Sequence, residues 1–256
     1  MTGPTTPISV QLYSLREEAA ADFEGVLRRL GAIGYVGVEL AGWNGLTPGD
    51  VARICGEAGL VVSSAHVGAT QADDLHAELD RLEAVGCSTA VLPFLPPDRF
   101  ADADSVAGCA DLINTNAAIA QARGFTYGYH NHFWEFTPMP DGRTAWAHLL
   151  DRLDSGVVIE LDAYWAKVGG VDPAAEAAGL GARLHLVHVK DGPADGHASP
   201  MTAVGAGAMD IPALIAASAN AAWHVVELDR CATDMFQAIE DSYTYLVGHG
   251  LSRGRA

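Results

Sequence analysis

The sequence has little that is basic. Its 256 residues carry 15 Lys and Arg against 32 Asp and Glu, a formal net charge of −17. Phosphate backbones are held by clustered Lys and Arg. This balance argues against a nucleic-acid partner and against an anionic membrane surface. The four cysteines, Cys55, Cys87, Cys109 and Cys231, show no C-x-x-C spacing. They read as reduced residues in or beside the core, not as disulfides or zinc ligands. No apolar run reaches the ~18 residues that a membrane helix needs. Residues 1–8 are polar, contain Pro4 and Pro7, and lack the basic start and apolar stretch of a signal peptide. A cytoplasmic protein without a membrane partner is the expectation.

What the chain does have is alternation. Hydrophobic residues make up 49%, enough for one large core. Short β-branched runs alternate with segments of helical periodicity, eight times over. Strands are expected over 8–12, 35–40, 60–66, 89–94, 125–132, 157–162, 183–190 and 223–229. The crossover after the seventh, 191–209, is long and rich in Gly, Pro, Ala and His. Eight βα units without a composition break predict a single closed (β/α)8 barrel over 1–256, with flexible ends at 1–7 and 252–256. An open doubly wound sheet would want a Gly-rich first βα turn. Here that turn reads Tyr13-Ser14-Leu15-Arg16-Glu17-Glu18, with no glycine.

In a barrel, alternate strand residues point inward, and active sites gather at the C-terminal strand ends. Parity places Gln11 and Tyr13, Glu39, Ser64 and His66, His130 and His132, Glu160 and Asp162, His188 and Lys190, and Glu227 and Asp229 inside. Polar inward residues at seven of eight strand ends form a ring that is costly to bury without a ligand, a metal or water. Imidazole mixed with carboxylate suits Mn²⁺, Co²⁺, Zn²⁺, Fe²⁺ or Mg²⁺. Asp162, His188, Glu227 and His130 are the candidate ligands, with Glu227 also a candidate base. Each has a plainer reading: Asp162 as a helix cap, His188 as a core histidine, Glu227 as the ion-pair partner of Lys190, and His130 as a packing or substrate contact. His132, Glu39 and His66 are candidate substrate contacts, and Lys190 a candidate functional cation. His148, His185, His224 and His249 read as structural. Gly205-Ala206-Gly207 reads as a flexible turn, or else as a phosphate cradle at a helix N-terminus.

The phrases Gly128-Tyr129-His130-Asn131-His132, Glu160-Leu161-Asp162 with Trp165, Gly170-Val171-Asp172-Pro173, His188-Val189-Lys190-Asp191 and Val226-Glu227-Leu228-Asp229 occur in this order. With 35–40 and Ser64-Ala65-His66, the set resembles the xylose isomerase-like TIM-barrel superfamily of sugar phosphate isomerases and epimerases. The resemblance implies one divalent metal, most often Mn²⁺, on His130, Asp162, His188 and Glu227. It implies enolisation of a keto-sugar or sugar phosphate; in that chemistry Glu227 is the expected base, and His132, His66 or Lys190 the expected proton donor. Gln11, Glu39, His66, Trp165 and Asp229 would line the substrate. One departure stands out: ketohexose epimerases of this family carry glutamate where this chain has His130. A metal-dependent lyase or dehydratase on a keto-inositol or 3-keto-glycoside is therefore the alternative. Further behind come an AP endonuclease-like phosphodiesterase, which wants a basic groove, and a sugar-binding protein without catalysis. The resemblance leaves a homo-oligomer open.

Overall fold

All eight β-branched runs form strands: β1 (Ile8–Gln11), β2 (Gly37–Leu40), β3 (Val61–His66), β4 (Thr89–Leu92), β5 (Thr126–His130), β6 (Val158–Asp162), β7 (Leu184–Val189) and β8 (Trp223–Val226). In the computed structural model, which describes residues 6–68 and 71–255, they pair in parallel and in sequence order, and β8 closes on β1. The result is a (β/α)8 barrel. Its helices are α1 (Arg16–Ile33), α2 (Pro48–Ala58), α3 (Ala72–Ala84), α4 (Ala103–Ala122), α5 (Ala145–Arg152), α6 (Ala163–Val168), α7 (Pro173–Leu180), α8 (Ile211–Ala217) and α9 (Met235–Gly248). Among the described residues no helix is long and apolar enough to cross a membrane.

Local chemistry fixes where each helix begins. The side chains of Thr47, Asp102, Thr144, Asp162, Asp172, Asp210 and Asp234 each accept a backbone N–H in the following first turn. The main core lies between barrel and helices. Inside the barrel, Val91, Leu186 and Val225 pack with Trp223 as an apolar plug beneath the polar ring. Gly37 makes room for that tryptophan, since a Cβ there would lie 3.2 Å from its ring.

Several expectations need correction. The fifth and eighth strands stop at His130 and Val226, so His132, Glu227 and Asp229 stand beyond the ladder. Tyr13 is not an inward strand residue. It lies on a 3₁₀ turn, Leu12–Leu15, and the residue is 44% exposed at the barrel mouth. The Gly205-Ala206-Gly207 turn does not offer its N–H groups to a phosphate. The buried Asp191 carboxylate accepts from Gly205 at 2.9 Å, Gly207 at 3.1 Å, Met209 at 3.1 Å and Gly192 at 2.8 Å, clasping the long crossover. The described tail makes several hydrogen bonds to the barrel. Arg253 N donates to Thr6 O at 2.9 Å, and Arg255 donates to Ala58 O and Gly31 O at the ends of α2 and α1. A cation there satisfies terminal helix carbonyls.

Candidate metal and acid–base site

Two register shifts prepare the site. They fall immediately before Glu39 and Glu160, where β3 and β7 each take one extra residue. Bulges of this kind re-aim side chains. Here they accompany two fully buried carboxylates. Glu39 accepts from Gln11 Nε2 at 2.5 Å and Ser64 Oγ at 2.5 Å. His188 Nε2 lies 2.8 Å from Glu39 Oε1, and His66 Nε2 lies 3.2 Å from it. Glu160 Oε2 meets His66 Nε2 at 2.7 Å, His130 Nδ1 at 2.9 Å and His188 Nε2 at 3.2 Å.

A second tier lies at the strand ends. Lys190 Nζ sits 2.8 Å from Asp162 Oδ2, 2.6 Å from Glu227 Oε2 and 2.8 Å from Asp229 Oδ2. His188 Nδ1 is 2.7 Å from Glu227 Oε2, and His130 Nε2 is 3.6 Å from Asp162 Oδ2. Asp162 divides its oxygens: Oδ1 caps the Trp165 N–H at 2.8 Å, while Oδ2 pairs with Lys190 Nζ at 2.8 Å. It is both the helix cap of the plainer reading and a carboxylate oxygen aimed into the cluster.

Burial and charge set the protonation states. Burial alone would neutralise Lys190, but Asp162, Asp229 and Glu227 hold its pKa well above the ordinary value. For His188, Glu160, Glu227 and Glu39 likewise outweigh burial and keep the imidazole cationic. Burial disfavours ionised Glu227, yet Lys190 and His188 hold its carboxyl well below the usual range. Asp162 is pushed up to about 6 by burial, against the pull of Lys190. Burial, with the charge of His188, takes His130 down to about 3. His132 is also held low, by burial and by His130 and Lys190.

The residues fit a divalent metal. His130, Asp162, His188 and Glu227 each offer one donor atom, all within 4.8 Å of one another. His66, His130, Glu160 and His188 form an overlapping group by the same measure. Glu160 Oε1 is a buried oxygen without a hydrogen-bond donor, an expensive state that a cation would relieve; Asp162 Oδ2 has the Lys190 ammonium at 2.8 Å. Above the cluster opens a cavity of about 550 Å³ whose wall includes Tyr13, His66, Phe94, His130, His132, Glu227 and Asp229.

The residues expected to line the substrate divide by depth. His66 and Asp229 reach the cavity, and Trp165 lines a smaller cavity beside it. Gln11 and Glu39 have no exposed surface and lie beneath, hydrogen-bonded to each other. Three other residues had no role assigned from sequence. Glu160 faces inward as parity requires. Asn131 bridges strand ends, accepting from Asp162 N at 2.9 Å and donating to Asp162 O at 3.1 Å. Glu135, buried on a 3₁₀ turn, accepts from Tyr129 OH at 2.7 Å and His132 N at 3.0 Å, and burial pushes its pKa up to about 7. The signal for Asn131 was its place between two candidate histidines. For Glu135 the sequence carries no periodic signal.

A family model described as xylose isomerase-like TIM barrel matches residues 27–227. The chain belongs to this family. Among solved structures it is similar to a sugar phosphate isomerase/epimerase from Parabacteroides distasonis, with 25% identity and a TM-score of 0.85 over 99% of this chain and 96% of that one. A xylose isomerase-like TIM barrel protein from Mycobacterium smegmatis, in complex with magnesium, shares 13% identity with a TM-score of 0.71 over 97% of each chain. The IOLI protein with a bound zinc atom shares 12% identity with a TM-score of 0.71, over 97% of this chain and 100% of that one. No curated protein matches the chain.

Proposed function

We propose that the chain is a divalent-metal-dependent sugar or sugar phosphate isomerase or epimerase, acting on a keto-sugar through an enediolate. The observation that carries this reading is that His130, Asp162, His188 and Glu227 hold donor atoms within 4.8 Å of one another, with His130 and Glu227 in the cavity wall. A divalent ion held by these four would polarise the substrate carbonyl. Mn²⁺ suits the mixed nitrogen and oxygen set, as do Co²⁺, Zn²⁺, Fe²⁺ and Mg²⁺. The magnesium and zinc of two relatives with the same fold support a metal here. The isomerase/epimerase description of the Parabacteroides protein supports the reaction class.

Glu227, kept ionised by Lys190 and His188, is placed to take the proton from the carbon beside the carbonyl. His132, held neutral, lines the same cavity and can pass a proton to or from a substrate oxygen. Lys190 holds Asp162, Glu227 and Asp229 together and supplies positive charge near the developing oxyanion.

A second reading is favoured by His130. Of the cluster's carboxylates, only Glu227 and Asp229 line the cavity, and one ammonium, Lys190, holds them at 2.6 and 2.8 Å. Glu39 and Glu160 lie beneath it. Carboxylates gathered on one cation, rather than two opposed ones, suit a lyase or dehydratase, in which the same enediolate expels a β-oxygen of a keto-inositol or 3-keto-glycoside.

Elemental analysis of protein purified without chelator tests the site, beside Asp162→Ala and His188→Ala. About one equivalent of metal in the parent, absent from both folded variants, is expected for a single site. Deuterium from solvent should then enter a keto-sugar at the carbon beside the carbonyl, slower by about 10²–10⁴ in Glu227→Gln. A parent that holds no metal, and gains no thermal stability from any divalent ion, would overturn the proposal.

A further inference from the structure

The metal cavity has a neighbour. A second cavity of about 340 Å³ shares Tyr13, His132 and Asp229 with it and has none of the four proposed ligands in its wall. Its remaining wall is largely aromatic: Phe133, Trp134, Trp165 and His197. The rings form a connected set. Trp134 stacks on His132 at 4.4 Å and 10°, and Phe133 stacks on His197 at 5.3 Å and 18°. Phe94 meets both His132 and Trp134 edge-on, linking the two cavities.

One further observation marks the mouth shared by the two cavities as a binding surface. Among the described residues Tyr13 and Phe94 are two of the three large exposed hydrophobic residues, and both stand at the mouth of the metal cavity; Tyr13 also lines its neighbour. Exposed aromatic groups clustered around a pocket mark ligand contact.

We infer that the substrate has two rings: a sugar that reacts in the metal cavity, and a second ring, glycosidically attached, that stacks against Trp134 and Phe133 in the neighbouring cavity. This rests on the reading of the metal cavity as the reacting site. A phosphate fits the second cavity less well. Arg16 and Arg230 border it, but the two terminal nitrogens of Arg16 donate to Tyr13 O at 2.8 Å and Asp229 O at 3.2 Å. The Arg16 guanidinium also lies over the Tyr13 ring at 4.4 Å. Arg230 donates to Ala198 O at 3.2 Å, and the Asp229 carboxylate belongs to the same wall. Phosphate recognition wants guanidinium forks turned toward the ligand. Flat aromatic walls want a ring with an apolar face.

The test titrates the Mn²⁺-loaded protein with glucose, glucose 6-phosphate, phenyl glucoside and cellobiose, read by tryptophan fluorescence and by Mn²⁺ broadening of ligand proton signals. Phenyl glucoside or cellobiose should bind roughly tenfold more tightly than glucose, as one good ring stack allows. Protons of one sugar ring should broaden more than those of the second ring. Trp134→Leu should remove the preference, and His197→Ala, on an exposed loop, should reduce it, with metal stoichiometry unchanged in both. Glucose binding that depends on metal but equals glycoside binding would overturn the two-ring inference alone. Preference for the 6-phosphate would overturn it in favour of an anion subsite. Failure of all four probes to bind would overturn the sugar-site reading as well.

Discussion

Lys190 is the most exacting place to test the electrostatics of this site. It is fully buried, with three carboxylate oxygens at 2.6–2.8 Å. Replacing it by Met keeps much of the volume and removes the charge. Breaking a buried ion pair by deleting one partner costs about 3–5 kcal/mol, because the remaining charge is left uncompensated. For a domain of this size, 1 kcal/mol shifts Tm by about 2–4 °C, so the metal-free variant should melt about 10 °C lower. A divalent ion on Asp162 and Glu227 would bring two positive charges to the same oxygens. Ligand present at 1,000 times its Kd contributes about 4 kcal/mol to the parent. It should contribute more to Lys190→Met, where no ammonium competes for the carboxylates. The assay is thermal unfolding by circular dichroism, for parent and variant, in EDTA and in saturating Mn²⁺. The expected pattern is a large gap in EDTA that narrows in Mn²⁺. An equal Mn²⁺ shift in both proteins would refute the claim that lysine and metal share these carboxylates.

Other consequences lie away from the site. Gly207→Ala would drive a methyl group into the Asp191 carboxylate and the Gly192 amide. Overpacking of this kind costs about 1–3 kcal/mol; limited proteolysis within 192–209 should accelerate, and unchanged cleavage would argue against the Asp191 clasp. His224 is buried with Nδ1 2.8 Å from Ser252 Oγ, and burial depresses its pKa from 6.5 to about 4. The unfolded chain therefore binds the proton first as pH falls, so stability is lost from about pH 6.5 downward until the folded histidine titrates near 4. That loss is about 3 kcal/mol in all. Denaturant titrations of His224→Gln should show a flatter acid limb, and a slope identical to that of the parent would sink the assignment.

The barrel was legible because parity and periodicity are local. In β6, Val158 and Glu160 alternate with Ile159 and Leu161, and the apolar pair faces the helices as alternation demands. What parity does not carry is depth. Glu39 and Asp229 both point inward, yet one lies under the imidazoles and the other at the rim. Depth depends on barrel stagger and on the two bulges, which are set by pairing between strands rather than by either strand's own pattern. Beyond the ladder, parity still brings His132, Glu227 and Asp229 to the cavity, but it fails elsewhere. Tyr13 leaves the strand register on a 3₁₀ turn, and Glu135 reaches the buried Tyr129 hydroxyl from another.

Depth also decides which of the two overlapping donor groups is the better home for a metal. His188 turns Nε2 to Glu39 and Nδ1 to Glu227. His130 turns Nδ1 to Glu160 and Nε2 toward Asp162. Each imidazole thus has a lower carboxylate behind it and an upper one beside its other nitrogen. A metal-ligating histidine commonly donates its second N–H to a carboxylate, which fixes the tautomer and the ring plane. On the proposed reading Glu39 and Glu160 would orient, while His130, Asp162, His188 and Glu227 would bind. The lower group would instead need Glu160 as a ligand through Oε1, since its Oε2 is already shared by three imidazoles. It would also need His66 to give up a proton that Glu39 and Glu160 hold in place against burial. The buried polar layer is therefore best understood as one device in two tiers, with Gln11 and Ser64 anchoring Glu39 at its base.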